Sequence, residues 1–344
     1  PLLRKTYNFW KQIGNPEYYT DTDGNARYEK GKCSLNESEH YLIIPSFSPE
    51  NKPFGYHSAI TANAAMDISA AKDVINMYTE MLNYTKVDGY EQAVSEAEAL
   101  LRMLPDFMYD ESGAVKEWSM KEYGENNAHR HISHLYPAWP ALQTQHDSKL
   151  ASACRQAIIN RNHENKGKDD TASHGWIHKA LVEARLKNSE SVYDILNLLV
   201  HSDIFYTSLF TDHNTNRAKG VACTDTLFGI AGIVNEMLVY SDRSTIELFP
   251  ALSSRIPKGK VCGLMTRAGV RIDSLEWCIN TGTEELKTDM KDGFYIKLKI
   301  TALRDTEFGL ILKNENFNEM SKEDKSLFNQ NIKLKSGEEY AILL

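Results

Sequence analysis

The hydrophobic positions in the first two thirds of the chain recur with the three- and four-residue spacing of a helix that buries one face. Residues 66–84 show this spacing most clearly, at Met66, Ala70, Val74, Met77 and Met81. The same pattern predicts helices at 91–104, where Pro105 ends the run, and at 147–161, 173–187, 189–201 and 226–241. The region up to residue 243 is therefore predicted to be helical.

Long polar stretches separate the predicted helices. They cover residues 14–40, 106–128, 162–170 and 211–224. Connections of this length are uncommon in a compact domain and often form functional sites. We therefore expect the chemistry of the protein to lie on these loops.

The pattern changes after Ser241 to an alternation with period two, broken by Gly, Asn and Asp. Such alternation predicts antiparallel strands with one face exposed to water. The predicted strands cover residues 246–250, 260–264, 270–277, 295–300, 304–312 and 330–344. The fold class is therefore α+β in separate domains, mostly α, with a helical domain over 1–243 and a small antiparallel β-sandwich over 244–344.

Long helices with loops that form a site on one rim suggest an α/α-toroid, which needs more helices than this pattern provides. Near the start, Leu2, Leu3, Tyr7, Phe9 and Trp10 resemble the buried side of a helix that began earlier. We therefore expect the chain to be a piece of a longer protein, with a missing N-terminal segment that carries the remaining helices.

The composition and charge of the chain limit the kinds of molecule that it is expected to bind. The chain has 344 residues, of which 42% are hydrophobic and 25% charged, as in ordinary folded proteins. Its net charge of −8 and the absence of a basic block argue against nucleic acid as a partner. No apolar run reaches the roughly 20 residues that span a membrane. The five cysteines show no CxxC spacing, so free cysteines are expected, although Cys262 and Cys278 can be imagined on neighbouring strands.

The most informative stretch begins at Glu117-Trp118. A carboxyl group beside an aromatic wall has its charged form disfavoured, so its pKa is expected to rise. A carboxyl group that keeps its proton near neutral pH suits general-acid catalysis. The alternative is an exposed glutamate beside a tryptophan that only packs.

Three histidines and an arginine follow within six residues: His129, Arg130, His131 and His134. Their spacing lacks the frame of a typical zinc site, so a polar wall is favoured over metal binding; its side chains either donate to sugar hydroxyl groups or simply brace the loop. Glu50 is expected at the tip of a turn around Pro49 and is a candidate for substrate binding. Trp118, Trp139 and Trp176 are candidates for stacking on sugar rings, with core packing as the alternative. No cofactor or metal is predicted.

Asp225 lies where a polar loop meets an apolar helix. It is either the N-cap of that helix or a general base, and the two roles are compatible if one carboxylate oxygen remains free for water. No GxSxG elbow or phosphate-binding glycine loop is present.

Together these residues resemble the C-terminal half of glycoside hydrolase family 95, the inverting α-L-fucosidases and related α-L-galactosidases. The resemblance extends from residue 1 to about 277. Its most specific motif is His129–Leu135; the others are Pro45–Asn51, Met66-Asp67, Glu117-Trp118, Gly175-Trp176, Asp225 with Phe228-Gly229, and the strand segments 247–252 and 259–264.

The resemblance implies an (α/α)6 toroid with a C-terminal β domain, a glycan as substrate, Glu117 as general acid and Asp225 as general base. It also implies a secreted, periplasmic or cell-surface location. The family's water-positioning asparagines would precede Pro1.

The chain departs from the family pattern around the base: Lys219 and Leu227 replace a histidine and an asparagine, Ile177 replaces a serine, and Ala138 replaces a glycine. Two functions therefore stand. One is hydrolysis of a terminal α-linked L-fucose or related galacto-configured sugar with inversion. The other is a catalytically idle or carbohydrate-binding relative of the same fold, because a fold survives changes that remove its chemistry.

Overall fold

The computed structural model describes residues 1–165, 171–214, 220–279, 294–318 and 321–343. The chain divides into two compact units, Pro1–Thr171 and Ala172–Leu344. Lys219 lies outside the described residues. Among the helices in these ranges, none combines the length and apolar character that a membrane crossing requires.

The first unit is built mainly from helices. They are α1 (Leu2–Ile13), α2 (Ala65–Thr85), α3 (Tyr90–Met103), α4 (Gln143–His146) and α5 (Ser148–Asn165). The helices predicted at 66–84, 91–104 and 147–161 are therefore confirmed. Helices α1, α2 and α3 share a core in which the ring of Tyr7 stacks on Tyr78 at 4.3 Å between centroids.

The apolar side of α1 is buried only in part in this chain. Tyr7 is buried, but Leu2 is 78% exposed and Phe9 is 53% exposed. Leu3 and Trp10 pack partly buried against the core of the three helices. Only one narrow stripe of α1 therefore has apolar partners among the described residues of its unit.

The loop predicted at 14–40 contains a small sheet that the sequence pattern did not reveal. Its strands are β1 (Tyr18–Thr20), β2 (Ala26–Tyr28) and β3 (His40–Tyr41), in the order β2-β1-β3. A second pair, β4 (Ser46–Phe47) and β5 (Ile60–Thr61), follows. These strands are two or three residues long, too short for an alternating pattern to be recognised.

The second unit begins with α6 (Ser173–Arg185), α7 (Ser189–His201) and α8 (Thr224–Leu238). These helices confirm the predictions at 173–187, 189–201 and 226–241. Helix α8 ends at Leu238 and not at the predicted residue 241, because Val239 begins β6 (Val239–Ser241), the first strand of this unit. Helices α6 and α8 pack closely at Gly229, where a Cβ atom would lie 2.3 Å from Cγ2 of Ile177.

The other strands of this unit fall where the alternation predicts them. They are β7 (Thr245–Leu248), β8 (Lys258–Val261), β9 (Leu264–Met265), β10 (Val270–Ile279), β11 (Phe294–Ala302), β12 (Thr306–Leu312), β13 (Gln330–Leu334) and β14 (Glu339–Leu343), with a short helix α9 (Lys322–Phe328). They form two sheets, one ordered β14-β11-β10-β8 with β9 beside β10, the other ordered β13-β12-β7-β6.

The prediction of a wholly antiparallel arrangement is wrong at one place, because β12 runs parallel to β7. A helical part followed by a β part is confirmed, whereas the toroid and the sandwich remain predictions. The division at 243/244 also remains a prediction; it lies inside the second unit, between β6 and β7.

All five cysteines are free, as expected. In the sheet, Cys278 lies opposite Lys258, which precedes Cys262 by four residues. The thiols of Cys262 and Cys278 therefore do not meet.

Candidate active site

The backbone around Glu117 and Trp118 is fixed by its neighbours in the first unit. The carbonyl of Glu117 accepts a hydrogen bond from the amide of Ala65 at 2.9 Å, and the amide of Ser119 donates to the carbonyl of Asn63 at 2.8 Å. The indole of Trp118 is completely buried. The start of α2 thus anchors the segment that carries the carboxyl group.

The turn predicted around Pro49 brings two donors to Glu117. The amide of Asn51 donates to the carbonyl of Ser48 at 3.1 Å, and Glu50 at the third position has a positive φ of 60°. As a result, Ser48 Oγ donates to Glu117 Oε1 at 2.6 Å and Asn51 Nδ2 donates to Glu117 Oε2 at 2.6 Å. The turn therefore binds the carboxylate directly.

A third donor comes from α5. Arg161 Nη2 lies 2.8 Å from Glu117 Oε2, and Arg161 Nη1 donates to the carbonyls of Asn126 and His129. Arg161 is buried because it lies on the inward face of α5 with Cys154 and Ile158. A buried charge of this kind is tolerated because it is paired and hydrogen-bonded.

The charge state of Glu117 differs from the sequence expectation. Burial pushes its pKa up, but the positive charge of Arg161, the electrostatic influence of His134 and the hydrogen bonds from Ser48 and Arg161 together outweigh burial, so the pKa of Glu117 lies below its usual range. The expectation of a raised pKa was wrong because it considered only the aromatic neighbour. In the free protein, Glu117 is therefore a charged carboxylate.

A second carboxyl group lies beside it. Glu125 Oε2 accepts a hydrogen bond from the backbone amide of Glu117 at 2.9 Å. Burial, followed by the nearby charge of Glu117, raises the pKa of Glu125 to about 7. The two carboxyl groups thus occupy one region of the unit and favour opposite charge states.

The histidine- and arginine-rich segment is divided between the surface and the interior. Arg130 and His131 both contact the exposed carboxylate of Glu50, with His131 Nε2 at 3.0 Å from its Oε2. His134 is buried, and its Nδ1 lies 3.5 Å from Arg161 Nη2. His129 is nearly buried and its ring lies edge-on to that of His131.

The structure therefore brings Glu50, Arg130 and His131 together as a polar group on the surface. No group of three or more His, Cys, Asp or Glu side chains in the described ranges has an arrangement that would hold a metal ion.

The three tryptophan candidates differ in exposure. Trp118 has no exposed surface, so a sugar ring cannot stack on it. Its role is the alternative one, packing in the core. Trp139 in the first unit and Trp176 in the second are partly exposed. The ammonium group of Lys179 lies 4.9 Å from the ring centroid of Trp176.

Asp225 is an exposed residue of the second unit, in the first turn of α8. Cys223 is the N-cap of this helix, so the prediction of Asp225 as the N-cap was wrong by two positions. Among the described residues, the thiol of Cys223 lies 4.0 Å from Oδ2 of this carboxylate. The carboxylate is therefore exposed at the positive end of a helix dipole.

Sequence reasoning missed four residues that contact Glu117: Ser48, Asn51, Glu125 and Arg161. Two signals were available. Arg161 stands at an apolar position of the α5 stripe, where a charge requires a buried partner. Ser48 and Asn51 flank the predicted turn, so their side chains are held in fixed directions.

The chain is similar to known glycosidases. A family model described as the glycosyl hydrolase family 95 catalytic domain matches residues 11–238. "Alpha-L-fucosidase 2" of Arabidopsis thaliana is 30% identical over 251 residues, which cover 68% of this chain and 28% of the relative. "Probable alpha-fucosidase A" of Aspergillus oryzae is 28% identical over 47% of this chain and 25% of the relative.

A further "Probable alpha-fucosidase A", from Aspergillus niger, is 26% identical over 84% of this chain. The matched region spans between 25% and 35% of the length of these three curated relatives. Because the family model covers most of the first 238 residues, membership does not depend on one motif. The chain belongs to glycosyl hydrolase family 95.

Proposed function

We propose that this chain is part of an inverting glycoside hydrolase that removes a terminal α-linked L-fucose, or a related galacto-configured sugar, from a glycan. The observation that carries the proposal is the buried carboxylate of Glu117, held by Ser48, Asn51 and Arg161. A carboxylate fixed by three donors is a pre-organised group of the kind that catalysis requires. Membership of the family and the names of the relatives support the substrate class.

In this proposal Glu117 is the general acid and Asp225 is the general base. The acid protonates the glycosidic oxygen while the base activates a water molecule on the opposite face of the sugar ring. Inversion requires room for that water, so the two carboxyl groups of an inverting enzyme are about 6.5–9.5 Å apart.

The acid role sets a further requirement. Glu117 is charged in the free protein, because Arg161 and the hydrogen-bond donors hold its pKa low. It must therefore receive a proton before it protonates the leaving oxygen.

The surface group of Glu50, Arg130 and His131 is proposed to bind sugar hydroxyl groups, since all three side chains offer polar atoms at the surface.

The proposal extends to the architecture and the location. The helices are proposed to belong to an (α/α)6 toroid, and the two sheets of the second unit to form a sandwich. A secreted, periplasmic or cell-surface location fits a glycan substrate.

A second candidate is a catalytically idle, carbohydrate-binding relative. Two observations favour it. Glu117 is completely buried and ion-paired, which suits a structural role. Ile177, at the position of the family's serine, packs against Gly229 and leaves no hydroxyl group there.

Turnover separates the two candidates. The complete protein is assayed for nitrophenol release from aryl α-L-fucosides and aryl galactosides, and the first-formed anomer is followed by NMR. Release of the inverted sugar supports the hydrolase. Saturable sugar binding with no release by any of these substrates supports the idle relative.

A further inference from the structure

Glu125 is a second carboxyl group of the site, to which the proposed mechanism assigns no role. The backbone amide of Glu117 donates to Glu125 Oε2 at 2.9 Å across eight residues. The loop between them is braced by Lys116, whose Nζ donates to the carbonyls of Met120 at 2.6 Å and Tyr123 at 2.8 Å. The loop therefore folds back so that the side chain of Glu125 contacts the backbone of Glu117.

The two carboxyl groups have unequal partners. Glu117 receives hydrogen bonds from Ser48, Asn51 and Arg161. Glu125 Oε1 is buried, and the described residues provide no hydrogen-bond partner for it. A charged oxygen without a donor is costly to bury, whereas a protonated carboxyl group requires no cation beside it. The geometry thus favours a charged Glu117 and a neutral Glu125.

The charged groups that face Glu125 agree with this assignment. Burial and the negative charge of Glu117 raise the pKa of Glu125, while the Glu117 amide, Lys116 and Arg161 lower it, and the net value is about 7. When two neighbouring carboxyl groups have pKa values driven apart, the pair carries one proton over a wide pH range. Here that range ends near neutral pH, because the pKa of Glu125 is about 7.

We propose that Glu125 holds the proton that the reaction delivers, and that it acts through Glu117. The inference rests on the proposed glycosidase function. No hydrogen bond among the described residues joins the two carboxyl groups directly, so when the substrate binds the proton of the Glu125 carboxyl group is relayed through water to the Glu117 carboxylate and leaves Glu125 charged. Glu117 then gives the proton to the glycosidic oxygen as the bond from that oxygen to the sugar carbon breaks, and the alcohol leaves.

The first test compares leaving groups in Glu125→Gln. Glutamine keeps the shape of the side chain but does not release a proton at neutral pH. We expect kcat on a natural glycan to fall roughly 100-fold or more, as for loss of general-acid catalysis. Aryl glycosides with good leaving groups should lose less than about fivefold, because their departure needs little protonation. Glu122→Gln, an exposed glutamate of the same loop, serves as the matched control and should leave both rates unchanged.

The second test is the pH profile. On a natural glycan, the wild-type rate should fall about tenfold between pH 6 and pH 8, because Glu125 loses its proton near pH 7. The residual activity of Glu125→Gln should lack this alkaline limb. An equal loss on both substrate classes, or an unchanged alkaline limb, overturns the inference and leaves a purely structural role for Glu125.

A third readout is independent of activity. A carboxyl group with a raised pKa stabilises the folded state fully at acidic pH, and this contribution is lost as pH rises through about 7. The Tm of the wild type should therefore fall more than that of Glu125→Gln between pH 5 and pH 8. If this difference appears but no substrate is turned over, the proposed function fails and the placement of the proton stands. If turnover is normal in Glu125→Gln, the proposed function stands and the inference fails.

Discussion

The guanidinium group of Arg161 lies 2.8 Å from the carboxylate of Glu117, and the two side chains are 4% and 0% exposed. Neither charge has water to solvate it, so each depends on the other and on the donors around the pair. This dependence makes the ion pair both the electrostatic centre of the candidate site and a point at which the fold is sensitive to mutation.

Arg161→Met should lower the free energy of unfolding by about 3–5 kcal/mol, because it leaves the Glu117 carboxylate buried without its cation. Urea denaturation measures the loss. Lys11→Met is the matched control; it removes a cation from the exposed pair with Glu96 and should cost about 0–1 kcal/mol. The double variant Arg161→Met/Glu117→Gln should recover part of the loss, since no unpaired charge remains. Equal costs for Arg161→Met and the control would show that the buried pair is not formed.

Glu117→Gln should lower kcat on natural glycans by roughly 100-fold to 10,000-fold, the range of general-acid catalysis. The loss on aryl glycosides with good leaving groups should be much smaller, because they depart without full protonation. Steady-state kinetics on both substrate classes test the assignment. Glu111→Gln, an exposed glutamate of the same loop region, is the control. A similar loss on both classes would remove Glu117 from the acid role.

Asp225→Asn should lower kcat on glycans and aryl glycosides alike, because attack by water is required whatever the leaving group. Its effect on stability should stay below about 1 kcal/mol, since the residue is exposed and only its favourable position at the start of α8 is lost. Asp194→Asn, an exposed aspartate of α7, is the control for a general charge effect. Full activity of Asp225→Asn would exclude the residue as the base.

Trp118 and Trp176 should respond differently to replacement by alanine. Trp118→Ala should lower the free energy of unfolding by about 3–5 kcal/mol, because a fully buried indole leaves a cavity. Trp176→Ala should cost much less stability and, if the ring stacks on sugar, should raise KM. Denaturation curves and KM values together distinguish the roles. A stable Trp118→Ala variant with a raised KM would restore Trp118 as a sugar-binding residue.

Acid should destabilise the wild type more steeply than Glu117→Gln. The pKa of Glu117 is lowered in the folded state, so its contribution to stability is present above its unfolded value of about 4.5 and is lost as pH falls below it. Thermal melting from pH 6 to pH 3 measures this difference. Glu111→Gln, in contrast, should follow the wild-type curve. Parallel curves for the wild type and Glu117→Gln would indicate that Glu117 is not held charged.

The helices and strands were predictable because their apolar periodicity is long enough to read. Helix α2 (Ala65–Thr85) was predicted to within one residue at each end. The short sheet of β1, β2 and β3 was not, since two or three residues do not establish a period. The sequence pattern also did not predict that α7 belongs to the same compact unit as the strands. It depends on side-chain contacts between distant residues, such as Glu190 with Ser253 and Asp194 with Arg255.

The candidate site shows the same division. Glu117 was selected as a candidate because its motif is local. Its charge state was mispredicted because the deciding partner, Arg161, is 44 residues away. A neighbour in sequence, Trp118, suggested an apolar pocket, but the contacts that set the pKa come from a turn and a helix elsewhere in the unit. Which oxygen meets which donor is a property of the fold, and the sequence pattern does not contain it.

The carboxylate of Glu117 joins segments that are far apart along the chain, with Ser48 at 69 residues and Arg161 at 44 residues from it. Each of these bonds closes a long loop, and loop closure has an entropy cost that must be met before the bond forms. We therefore expect the charge to remain hydrated during folding until α5 and the Pro49 turn have both packed against it. Accordingly, we expect the site to form late in folding, and an isolated peptide around Glu117 not to reproduce its acidity.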